Sequence, residues 1–221
     1  MDTSATAIRT TPRWRRRKDT RPTEILDAAL EIYGERGYES ARLEDIARRA
    51  GCTKGTVFLY YANKSELFKA AVRSAMMPVV TEAERLVAEH RGTARELLAA
   101  VLRLRWNHMA RIRLSGMVKL LLAGTGEHPE LARFYNDEFI ERNQRLLRQV
   151  LQMGVDRGEF RPLDVTNVAR VVIAPMLFAT VWRQSYEQAV NAPLELDTYF
   201  EAALDLLLAG IAVNAPVPAH G

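Results

Sequence analysis

Seven basic side chains, Arg42, Arg48, Arg49, Lys54, Lys64, Lys69 and Arg73, crowd residues 42–73 against three acids, Glu44, Asp45 and Glu66. A denser cluster precedes them. Residues 9–21, RTTPRWRRRKDTR, carry seven basic groups and one acid, Asp19, a local charge of +6 in a chain whose formal total is +4. The rest of the chain is therefore slightly acidic, and the basicity belongs to a local arm. Such groups bind polyanions rather than make or break bonds. A nucleic acid or an anionic lipid surface suits them, and a plain solubilising tail would have the same composition.

Residues that could do bond chemistry are scattered. There is no nucleophile elbow and no phosphate-cradling glycine loop; GTGEH at 124–128 is a weak glycine pair, and His90, His108, His128 and His220 have no ligand spacing. No catalytic residue, metal or cofactor is expected. Cys52 would sense oxidants only as an exposed thiolate beside a cation; a small buried filler is the plainer reading. Apolar runs are interrupted by charge every few residues, so no membrane-spanning helix is expected. The N-terminal arginines lack an apolar stretch behind them, and one cysteine cannot form an internal disulfide, which together point to the cytoplasm.

The elements that must position the basic groups are all helical, because apolar residues recur every three to four positions nearly everywhere. A first helix starts near Pro22 and Glu24, buries Ile25, Ala28, Ala29, Ile32 and Tyr33, and stops at Gly37. A second covers 43–50 and ends at Gly51; a third covers 54–61 with Thr53 as N-cap. Asn63 with Glu66 opens a long helix through residue 90, which Pro78 should kink or break, and Thr93 with Glu96 repeats the capping device. Further helices are expected over 114–123, 129–156, 164–190 and 194–212. The division follows: a disordered arm over 1–18, a helix-turn-helix domain over 19–79, a helical domain over 80–213, and a flexible tail over 214–221.

Residues 42–61, RLEDIARRAGCTKGTVFLYY, are two helices joined by a tight glycine turn, a helix-turn-helix. Val57 and Tyr61 can face inward against Ile46 and Ala47, which leaves Lys54, Gly55, Phe58 and Leu59 on the opposite face. Gly55 costs up to about 1 kcal/mol of helix propensity relative to Ala, a sacrifice that makes sense where the helix must approach something bulky, such as a DNA groove. An isolated helix corner with no nucleic-acid role is the alternative.

ILDAALEIYGERGYESARLEDIARRAGCTKGTVFLYYANKSELFKAAV resembles the DNA-binding domain of the TetR-type (tetracycline repressor-like) transcriptional regulators, with glycines, apolar positions and the final lysine in register over about residues 21–75. The resemblance implies that Thr56 and Tyr60 hydrogen-bond phosphate, that Lys64 pairs with phosphate at the start of the fourth helix, and that Lys54 and Gly55 lie against base edges. Two positions depart from the family pattern. Phe58 replaces a phosphate-bonding tyrosine, and Arg42 replaces a Ser or Thr cap; Arg42 can pair with phosphate, and Phe58 can touch a thymine methyl or sugar edge.

The resemblance further implies a homodimer docked through the last two helices, a near-palindromic double-stranded operator, and a small-molecule effector, apolar or amphipathic, enclosed by the middle helices. The wide apolar arcs of 164–190 and 194–212 fit such docking independently. Large adaptable residues on the middle helices are the pocket candidates: Trp106, Met109, Met117, Leu121, Phe134, Phe139, Met153, Phe178 and Trp182. Ordinary core packing is the competing account of each, as it is for His108. The expected function is a dimeric repressor released from DNA by its effector. An enzyme and a lipid-binding surface module are the alternatives from other classes.

Overall fold

The computed structural model describes residues 13–111 and 128–213. The helix expected at 114–123, the pocket candidates Met117 and Leu121, the first twelve residues and the tail lie outside the described residues. The first helix, α1 (Arg13–Ser40), begins nine residues before Pro22 and so takes in part of the stretch expected to be a disordered arm. Pro22 sits inside it, and Gly37, at φ 76°, interrupts its helical dihedrals where the sequence placed the stop. Then come α2 (Leu43–Arg49), α3 (Lys54–Tyr60), α4 (Lys64–Glu89) and α5 (Ala94–Arg111).

Several boundaries follow from local chemistry. Gly51 adopts φ 61°, and the bonds from Cys52 N to Ala47 O (2.9 Å) and from Gly51 N to Arg48 O (3.1 Å) close α2 as a Schellman turn. Arg21 adds to that closure: its Nη1 donates to Ala50 O at 3.0 Å, at the negative end of α2. Thr93 Oγ1 accepts from Glu96 N (3.1 Å) while Glu96 Oε2 accepts from Thr93 N (2.9 Å), a complete capping box. At Asn63 only half of the box forms, Oδ1 accepting from Glu66 N at 2.9 Å, and Glu66 turns to Lys69 instead.

One expectation is narrowed and two need correction. Of the kink or break expected at Pro78, the break is absent: α4, 26 residues long in all, runs through it. The stretch expected as one helix over 129–156 is α6 (Pro129–Tyr135), a π-turn here called π1 (Asn136–Ile140) and α7 (Glu141–Asp156). The stretch expected over 164–190 is broken into α8 (Val165–Val171), α9 (Ala174–Val181), a second π-turn, π2 (Trp182–Tyr186), and α10 (Glu187–Val190). Pro175 explains the first break, since it has no N–H to donate and its ring crowds the carbonyl of Val171. The last helix is α11 (Leu196–Ile211).

Two cores result. The N-terminal core gathers Ile25, Ile32, Ile46, Val57, Leu67, Phe68 and Val72 from α1–α4, and also Leu131, Phe134 and Phe139 from α6 and π1. The second takes Ala83 and Val87 from the far end of α4 with the inner faces of α5, α7, α8, α9 and α11. Leu104 of α5 packs against both. The boundary expected at residue 79 is therefore crossed twice, by α4 running through both cores and by α6 returning to the first.

Candidate nucleic-acid interface

Helix α3 is held by one buried side chain, Val57, and by its cap: Thr53 Oγ1 accepts from Thr56 N at 3.1 Å, with the two hydroxyls 2.9 Å apart. Tyr61, expected inward beside Val57, is half-buried, and burial pushes its pKa up. The outer face is apolar and open, Phe58 being 46% and Leu59 82% exposed. Lys54 joins that face, its Nζ 2.6 Å from Glu44 Oε1 and 5.8 Å from the Phe58 ring centre. The Lys54 hydrogen bond holds the Glu44 carboxyl below the ordinary carboxylate range.

Gly55 is the informative position. A Cβ there would meet within 4 Å only the Thr53 hydroxyl, at 3.7 Å, an ordinary van der Waals separation. Its φ lies outside the left-handed region. Nothing inside the described protein calls for glycine at this place, so its propensity cost is not repaid by its own fold.

The basic residues divide into two groups. Arg42 is exposed at the N-cap of α2, makes no side-chain cap bond there, and forms no direct ion pair among the described residues, although its charge reaches Glu44. Arg48 is mostly exposed, 3.2 Å from Asp45. Others are structural: Arg49 bonds Glu31 (2.7 Å) and Glu35 (3.0 Å) and ties α2 to α1, while Arg73 forms a two-pronged pair with Glu138 of π1. Lys64 Nζ donates to Glu39 O at 2.9 Å and lies 4.5 Å from the Tyr38 ring centre; burial pulls its pKa down, with Glu39 opposing. Thr56 and Tyr60 are partly exposed. Cys52 is a half-buried free thiol whose pKa burial raises, which fits the filler reading.

The pocket candidates do not converge on one site. Phe134 and Phe139 belong to the N-terminal core, a correction that follows from α6 packing on the head. Trp106 is buried in the second core, stacked on Phe200, and Met109 and Met153 pack at its edge. Phe178 is half-exposed, its ring 5.7 Å from Trp182 and 5.8 Å from Tyr199. Leu177, Tyr186 and Val190 nearby in the sequence are exposed as well, and so is Leu206 on α11. Sequence reasoning missed Tyr38, Glu39 and His128, which join α1 to the start of α6; no local pattern links positions so far apart.

Comparisons with known proteins agree with this architecture. Residues 25–71 match the family described as bacterial regulatory proteins, tetR family, and residues 88–192 match the tetracyclin repressor-like C-terminal domain. The fatty acid metabolism regulator protein of Bacillus subtilis (strain 168) is 29% identical over 198 residues, covering 88% of this chain and 98% of that protein. The crystal structure of the transcriptional regulator FadR from Bacillus subtilis in complex with stearoyl-CoA superposes with a TM-score of 0.71 at 25% identity, over 86% of this chain and 98% of the other. SmeT, the repressor of the Stenotrophomonas maltophilia multidrug efflux pump SmeDEF, superposes with a TM-score of 0.69 at 25% identity, over 90% and 94%. No described helix is long and apolar enough to cross a membrane. With the glycine-bearing, outward-facing α3 on a three-helix head and family matches spanning both head and body, this chain belongs to the tetR family of bacterial regulatory proteins, ligand-responsive DNA-binding regulators of transcription.

Proposed function

We propose that the protein works in the cytoplasm as a homodimeric repressor that lays α3 of each copy into successive major grooves of a near-palindromic operator, and that an amphipathic small molecule releases it. The observation that carries this reading is Gly55, open on the outer face of α3 where the fold itself has no use for it. Lys54, Gly55, Phe58 and Leu59 then meet base edges, while Arg42, Thr53, Thr56, Tyr60 and Lys64 meet phosphates. Lys64 spends one N–H on the Glu39 carbonyl and keeps others for a phosphate. The basic arm adds phosphate attraction without sequence preference.

Docking of the second copy uses the face bearing Leu177, Phe178, Tyr186, Val190 and Leu206, because apolar groups in such numbers on one surface mark an interaction site. Release follows from the shared elements. α4 runs from the head core into the second core and α6 is packed in the head, so a ligand that favours one placement of these helices changes the spacing of the two reading heads. The stearoyl-CoA bound by the Bacillus subtilis FadR supports an amphipathic effector.

Selection of bound sequences from a random duplex pool tests the core of the proposal. A palindrome with half-sites about 34–36 Å apart is expected. Enrichment of no sequence would sink DNA reading, and an unpaired half-site would sink the dimer.

A further inference from the structure

Arg105 of α5 stands where the two cores meet, one residue after Leu104, which packs on both. Its Nη1 donates to Oδ1 of the buried Asn143 on α7, a neutral partner, and no carboxylate faces it among the described residues. Burial pulls its pKa down to about 10, the neighbouring Tyr135 of α6 opposing, so it stays a cation at neutral pH. Burial likewise raises the Tyr135 pKa, which keeps its hydroxyl protonated.

On the next turn of α5, His108 has its Nε2 buried without a partner among the described residues. Its other ring nitrogen is left to hydrogen-bond the Ala75 backbone of α4, and burial lowers its pKa. The imidazole is then neutral, with Nε2 as a bare acceptor. The charge of Arg105 also reaches His108 and helps to hold its pKa down, so a guanidinium with unused donors and an unused acceptor lie one turn apart on α5; Met76 and Met77 of α4 pack on the N-terminal core and Met109 of α5 on the second. Arg105 is half-buried, and a charge that has lost part of its water without gaining an anionic partner carries a cost that an outside anion would remove.

We propose that Arg105, His108, Tyr135 and Asn143 bind the head of an amphipathic ligand: an oxyanion, carboxylate or phosphate, on Arg105, with an apolar body along the methionines. This deepens the effector-released reading and rests on it. Because α4, α5, α6 and α7 each contribute a contact, an occupant here would bear on the helices that join head to body.

Binding to the full chain without DNA keeps the two proposals separable. Calorimetry with decanoate, decyl phosphate and decanol compares two anionic heads and a neutral one on the same chain. The anions should bind about 10- to 100-fold tighter than the alcohol, as expected for one charged hydrogen-bonding partner. The relative strength of the two anions distinguishes a carboxylate from a phosphate ligand. Arg105→Met should abolish the preference and leave decanol binding unchanged, while Arg105→Lys should retain part of it. Without ligand, Arg105→Met should melt at or above the wild-type temperature, since an unmatched charge has been removed.

Equal binding of anions and alcohol, no binding of either anion, or a preference that survives Arg105→Met would overturn the proposal. So would a lower melting temperature for both Arg105→Met and Glu127→Gln, because Glu127, the one acid in residues 112–127, would then be the arginine's own partner. Anion binding that passes these tests without releasing operator DNA would count against the repressor mechanism and leave the site standing.

Discussion

Helices α3 and α6 are each seven residues long and both pack on the head core, yet they use their phenylalanines in opposite ways. α3 is capped by a threonine, buries only Val57 and turns Phe58 and Leu59 to the outside. α6 has no side-chain cap, starts with Pro129 and buries Leu131 and Phe134. A helix with a minimal anchor can present its surface to another molecule, whereas one sunk in the core moves only with that core. Under the function proposed above, the head then has an outward reader in α3 and an inward lever in α6, and the lever comes from a distant part of the chain.

Truncating the two phenylalanines should expose the contrast most strongly. Phe134→Ala removes a ring in edge contact with Phe139 and beneath the Arg73 guanidinium, and should cost about 3–5 kcal/mol of stability. Phe58→Ala, on an exposed site, should change stability by no more than about 0.5 kcal/mol. Chemical denaturation of both variants checks this; similar losses would mean that α3 is anchored as deeply as α6. Next in size is Gly55→Ala. It should fold as well as wild type or gain up to about 1 kcal/mol of stability, and yet lose operator affinity by about tenfold or more. An alanine variant that binds normally would remove the main reason for placing α3 against DNA.

The reader was legible in the sequence and the lever was not, for a physical reason. Gly51, Thr53, Val57 and the Asn63 cap act within a few residues of themselves, so spacing alone revealed their geometry. The attachment of α6 rests on pairs such as Arg73 with Glu138 and His128 with Glu39, separated by 65 and 89 positions. Periodicity marks Phe134 and Phe139 as buried without saying in which core, which is how they came to be expected in a ligand pocket. Arg105 was hidden for the same reason: a charge on an amphipathic helix looks solvated until the facing helix is known.

A smaller effect concerns how α3 meets its partner. Phe58→Tyr adds a hydroxyl at a 46% exposed position, so its stability effect should be negligible. If a phosphate lies within reach, operator affinity should rise by about 0.5–1.5 kcal/mol with no change in sequence preference. Unchanged or weaker binding in a fluorescence titration, with altered preference at one base pair, would show that the ring touches a base or sugar.

The smallest expected effect tests the lever's fastening. At the start of α6, the His128 Nε2 meets Glu39 Oε1, its Nδ1 is 3.4 Å from Glu130 Oε1, and its ring stands edge-on to Tyr38 at 4.9 Å. The Glu39 hydrogen bond, and behind it the two carboxylates' charges, raise the imidazole pKa above its ordinary value of 6.5. Folding then favours the protonated ring. The contribution is complete below the ordinary histidine pKa while the carboxylates stay ionised, and it is lost as pH rises through the elevated value. The side chains are partly exposed, so the effect is confined to this contact. Hydrogen exchange, corrected for intrinsic rates, should quicken at the first turn of α6 between about pH 6 and pH 9 and stay level in α3. His128→Gln should remove the pH dependence in α6. Equal quickening in both helices would mean that the whole head loosens with pH, and the separate fastening of the lever would have to be abandoned.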